Sequence, residues 1–206
     1  SLFQFLLKKN FGKIFLGFFV VLFGMMLLGI LLLFKILKTA ISPAPFYLAF
    51  FTIISGIWIL LDFNLISLII PCGLFTNILD IICLSLAPAL LIIYLMNFVE
   101  GTARYPMIAM ASSLLGFLLL FILAQGSGIF DGYELLTPLC ILLGVSCCIV
   151  FFCLLHEIRY TTNKTTKFIL QSGLLCFLGL GDVLNYFIQI LSFNIWFIAG
   201  FLLFLV

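Results

Sequence analysis

Gln171, Asp182, Asn185 and Gln189 carry side chains that could hold a proton, an ion or a polar ligand, and their spacing is helical. At about 100° per residue, their separations along the chain place all four within roughly 60° of arc. Facing lipid, such a stripe would cost several kcal/mol, since one Asp at a helix centre costs about 2.5 to 3.5 kcal/mol on insertion scales. The stripe predicts a face turned into a helical bundle or a wet cavity. Asp80 shares a comparable face with Ala87 and Tyr94, at an outer depth similar to that of Asp182. Two nearby carboxylates would raise at least one pKa or recruit a cation. Asp62 closes another apolar stretch and completes the set of candidates for ligand binding or signal coupling. The same residues would equally serve an interhelical hydrogen-bond network that fixes packing, at about 0.6 kcal/mol per contact. Both roles stay open at this level.

The elements that must position these residues are apolar stretches, at 14–37, 46–61, 76–99, 105–124, 137–155, 168–189 and from 193 onward, and together they fill most of the 206 residues. A bilayer core of about 30 Å takes roughly 20 apolar residues per helix. With 66% hydrophobic and only 8% charged residues, the chain has too little polar surface to stay in water, and lipid is its solvent. A membrane β-barrel would require segments alternating apolar with polar, and a run such as Leu114-Leu115-Gly116-Phe117-Leu118-Leu119-Leu120 does not alternate. The expected fold class is therefore all-α, a polytopic membrane protein forming one seven-transmembrane-helix domain over 1–206, with every backbone group satisfied inside its own helix.

Charge sets the expected orientation. Lys35, Lys38, Arg104, Arg159, Lys164 and Lys167, six of the nine basic residues, follow the first, third and fifth stretches, so that side is cytoplasmic. Lys8, Lys9 and Lys13 precede the first stretch, and a long translocated domain ahead of Ser1 would exempt them from the rule. The N-terminus is then outside and the C-terminus inside. Asp62, Asp80, Asp131, Glu134 and Asp182 lie toward the outer side, and Glu100 and Glu157 toward the cytoplasm. A start at Ser1 and an end at Val206, inside the last apolar run, suggest the membrane part of a longer chain.

The seven cysteines form no CxxC pair and have no histidine at ligand spacing, which makes them small packing residues rather than a metal site. His156 and Glu157 fit a solvated helix end. A retinal protein would need a buried lysine in its last helix, and 193–206 contains none. Pro88 and Pro138 do not form the paired broken helices of a transporter. No cofactor, metal or nucleic-acid partner is implied, and the bilayer is the first partner.

Gly179-Leu180-Gly181-Asp182 resembles the GxGD signature of intramembrane aspartyl proteases, the presenilin, signal-peptide-peptidase and prepilin-peptidase families. That resemblance implies a catalytic Asp182 with a second carboxylate, Asp80 or Asp62, sharing a proton and activating water. Pro88-Ala89-Leu90 resembles the PAL motif of the presenilin group, where PAL follows GxGD; here it comes first. Neither Asp62 nor Asp80 follows the tyrosine of those families, and the basic residue that prepilin peptidases carry after GxGD is replaced by Val183 and Leu184.

A second resemblance spans nearly the whole chain. The run from Phe46-Tyr47-Leu48 through Gly56-Ile57-Trp58 to Asp62 is similar to the second-helix pattern of the seven-helix sensor regions of bacterial signalling proteins, the 7TMR-DISM type ("diverse intracellular signalling modules"), especially those fused to GGDEF diguanylate cyclases. Phe130-Asp131-Gly132-Tyr133-Glu134 resembles the acidic-aromatic start of their fifth helix, and Asp182-Val183-Leu184-Asn185-Tyr186 a pattern on their sixth. Cys140 stands where the family pattern would have a polar residue or His. The resemblance implies a receptor-like module of the bacterial inner membrane, with an extracytoplasmic domain before it and a cytoplasmic output domain after it that acts in cyclic di-GMP signalling. It also implies a homodimer, because such outputs act in pairs. The membrane module itself would not be an enzyme.

Overall fold

The computed structural model describes residues 2–37, 42–61, 73–99, 101–127, 132–158 and 163–188. Six α-helices occupy them: α1 (Leu2–Ile36), α2 (Ala44–Leu61), α3 (Gly73–Leu95), α4 (Arg104–Ser127), α5 (Gly132–Ile158) and α6 (Asn163–Ile188), with a 3-10 turn at Gly101–Ala103. There is no strand among the described residues, and the protein is all-α. Five segments, Ile14–Ile36, Ala44–Leu61, Phe75–Leu95, Gly101–Ser127 and Glu134–Ile158, are long and apolar enough to cross a membrane. This is the make-up of a multi-pass membrane protein. The sixth helix has a shorter apolar run, Ile169–Asn185, because Lys164 and Lys167 occupy its first turns. The expected seventh stretch, from 193, lies outside the described residues.

Most helix limits differ from the hydropathy reading by a few residues, as where α5 starts at Gly132 rather than 137, and two of the departures have a local reason. α1 is 35 residues long and starts well before its apolar span. Leu2 to Lys13 contains no proline and is rich in helix formers, so the hydrogen-bond ladder continues where apolarity stops. At the other limit, α3 ends at Leu95 rather than 99, where Asn97 Nδ2 donates to the carbonyls of Ile93 (3.0 Å) and Tyr94 (3.0 Å). That side chain takes over acceptors that another helical turn would have used. Gly101 follows at φ 70, a left-handed conformation that glycine adopts without a Cβ clash. The start of α2 is fixed by Ser42, whose Oγ accepts from the Ala44 N–H at 3.2 Å.

The chain forms two compact units, 1–91 and 92–206. In the first, α1 and α2 pack antiparallel: Gly17 faces Leu60 and Ile59, Val21 faces Gly56, and Gly24 faces Ile53 and Ala49. A Cβ on Gly56 would meet Val21 N at 2.8 Å and the Gly17 carbonyl at 3.1 Å, and one on Gly24 would meet Ile53 N at 3.0 Å. The two backbones therefore touch where side chains would normally intervene. With lipid as apolar as leucine, such close approach is what holds helices together in a membrane. Gly17, Gly24 and Leu31 recur every seven residues along the buried side of α1, a repeat that keeps one seam facing the partner. The opposite side exposes Phe15, Phe18, Phe19, Leu22 and Met26, which suits acyl chains. Near the turn, Lys35 Nζ lies 6.0 Å from the centroid of the Phe46 ring, a cation–π contact between the ends of the two helices.

In the second unit, α5 lies between α4 and α6. Met107, Ala111, Leu114 and Phe121 form the buried side of α4, and the Ser146 hydroxyl of α5 is shared between the Leu142 carbonyl (2.7 Å) and Met110 Sδ of α4 (3.6 Å). α5 and α6 run antiparallel: Gly144 lies against Val183 and Leu180, Cys147 Sγ against Gly179, and Phe151 against Gly173. Phe151 and Phe177 hold their rings 6.0 Å apart. A Cβ on any of these glycines would meet its neighbours at 3.4 to 3.8 Å, ordinary contact, so this pair is joined through side chains rather than backbone. Cys140, Cys153 and Cys176 are buried with free thiols, as packing residues are.

Candidate functional site

The polar residues singled out by the sequence fall on two helices, one in each unit. In α3 every residue from Thr76 to Met96 is at least half-buried. Polar groups on a helix of this kind are costly unless they find partners. Ile81, Ser85, Ala89 and Ile92 form one buried side, and Cys83, Ala87, Leu91 and Tyr94 another. Thr76 and Asp80 continue the second side toward the start of the helix at a spacing of three to four residues. Asp80 is half-buried. Thr76, Asn77 and Asp80 are all engaged in interactions, so the N-terminal part of α3 is a polar segment set in a largely apolar helix.

On α6 the face toward α5 is fixed by Gly173, Gly179, Leu180 and Val183. At about 100° per residue, positions 171, 182 and 185 fall on the opposite side. The stripe is thus turned away from α5. Gln171 and Asn185 are half-buried, and Asn185 is engaged. The side chain of Asp182, and Asp62 and Gln189 altogether, lie outside the described residues, as does the contact of Asp182 with Asp80 or Asp62 on which a diaspartyl centre would depend. Gly179 of the GxGD-like run sits within a continuous helix, packed on Cys147.

No group of three or more His, Cys, Asp or Glu among the described residues is arranged to hold a metal. His156 is exposed near the end of α5.

Sequence reasoning did not find two features. One is the α1–α2 backbone seam, whose available signal was small residues seven apart at Gly17 and Gly24, and again at Ala49 and Gly56. The other is Ser85, fully buried three residues before Pro88 in α3; a serine in an apolar run gave no hint that it would be enclosed.

Comparison of the chain with protein-family models, with curated proteins and with solved structures finds no match.

Proposed function

We propose that this chain is the seven-helix membrane module of a bacterial signalling receptor, placed in the cytoplasmic membrane with its N-terminus outside. It relays an extracytoplasmic or membrane signal to a cytoplasmic output domain, a diguanylate cyclase, in a homodimer. The observation that carries this reading is α3: a helix with no exposed residue from Thr76 to Met96 that keeps Thr76, Asn77 and Asp80 as engaged polar groups. Ionisable residues inside a membrane are costly and mark sites by default. Asp182 and Asn185 on α6 extend the same reasoning to the second unit.

The two helix pairs differ in a way that suits a relay. Backbone contact locks α1 to α2, whereas α5 and α6 meet through side chains that can change rotamer or slide. A ligand acts by binding one helix arrangement more tightly than another, and the output follows the population. Asp80 and Asp182 bias that equilibrium by gaining or losing polar partners.

Orientation is the first test. Reporter fusions placed after Lys38, Arg104 and Lys164 should all report a cytoplasmic position, because positive charge is retained on that side. External signals at any two of these sites would overturn the topology and, with it, the relay to a cytoplasmic output.

A further inference from the structure

We infer that α3 holds a water molecule within its own span, at the Ser85 hydroxyl and the Leu84 carbonyl. Ser85 is 0% exposed, and its Oγ has no hydrogen-bond partner among the described residues. A buried helical serine ordinarily donates to a carbonyl three or four residues back; this one does not. Pro88 supplies the second group. Lacking an N–H, it cannot donate to the carbonyl four residues earlier, which is that of Leu84, the residue next to Ser85. One proline therefore leaves an acceptor without its regular donor beside an unpaired, buried hydroxyl.

The Ser85 hydroxyl cannot reach bulk solvent, and an unsatisfied polar group in a membrane interior is expensive. A guest that both donates and accepts satisfies the two together. Water does so, and buried waters generally make two to four such bonds. Two neutral oxygens are too few for a hard cation such as calcium, which takes about six to eight oxygen ligands. Water inserted in the hydrogen-bond ladder is also a recognised cause of helix bending.

Ser55 of α2 provides an internal comparison. It is also 0% exposed with an unpaired Oγ, but no proline lies inside α2 after it to free a carbonyl. Removing a hydroxyl that is unpaired is neutral or stabilising, whereas removing one that holds a guest strands the remaining partner. In the purified full chain in mild detergent, Ser85→Ala is expected to lower the thermal midpoint by about 2–4 °C, and Ser55→Ala to leave it unchanged or raise it. In a Pro88→Ala background, where Leu84 regains its donor, Ser85→Ala should lose its effect. If Ser85→Ala matches Ser55→Ala, or its penalty persists undiminished with Pro88→Ala, the inference fails. Should Ser85→Ala not fold, a high-resolution map of the unaltered protein decides: density within hydrogen-bond distance of both Ser85 Oγ and the Leu84 carbonyl supports the site. Its absence where other buried waters are visible overturns it.

Discussion

Replacing Gly56 with alanine is expected to cost about 1–3 kcal/mol or more, the largest effect of any single methyl group added to the described helices. The new Cβ would stand 2.7 Å from Val21 Cγ2, 2.8 Å from Val21 N and 3.1 Å from the Gly17 carbonyl. Two of these three atoms are backbone, so no rotamer change relieves the clash, and α1 has to move away from α2 along the seam. Gly24→Ala is next, with Ile53 N at 3.0 Å. Gly17→Ala should be milder, since its close neighbours are the tip of Leu60 and a methyl of Ile59. Gly29 has nothing within 4 Å of an added Cβ, and its alanine variant should gain up to about 1 kcal/mol from helix propensity. Unfolding midpoints in mixed micelles should therefore fall in the order Gly29, Gly17, Gly24, Gly56. A Gly56→Ala protein as resistant as Gly29→Ala would mean that the backbones do not touch.

In the full-length protein, Asp182→Asn is expected to shift the signalling output roughly fivefold or more while leaving its abundance in the membrane unchanged. Asn keeps the shape and most of the hydrogen-bonding capacity of Asp and removes only the ionisable charge. Position 182 lies on the side of α6 turned away from α5, so the α5–α6 contact is not disturbed. Gly179→Ala is the matched control: among the described residues its Cβ would meet only Cys147 Sγ, at 3.7 Å, and both output and abundance should hold. A parallel loss of abundance and output in Asp182→Asn would assign the residue to packing. Cleavage of a membrane-embedded substrate that disappears with Asp182→Asn and also with Asp80→Asn would instead bring forward the aspartyl protease, which needs both carboxylates around one water.

The positions of the six described helices were legible in the chain because transfer of apolar side chains into lipid, and the satisfaction of backbone groups once there, are properties of each segment alone. Helix ends were less legible. α1 outran its apolar span because helix propensity does not stop at the membrane surface, and α3 stopped short because one side chain, Asn97, bonded back to its carbonyls.

What hydropathy could not determine was which apolar residues face protein. Phe15, Phe18 and Phe19 are exposed on α1, whereas Phe51 and Phe121 are buried in α2 and α4, and nothing in the residue type separates them. In water, burial sorts such residues by apolarity. In a bilayer, lipid and protein interior are equally apolar, and the sorting passes to shape: glycines where backbones meet, bulk where lipid lies. The polar positions follow the same division. A stripe of Gln171, Asp182 and Asn185 on one side of a helix was fixed by their spacing in the chain. The enclosure of Ser85 depends on neighbours distant in sequence, so only the tertiary structure decided it.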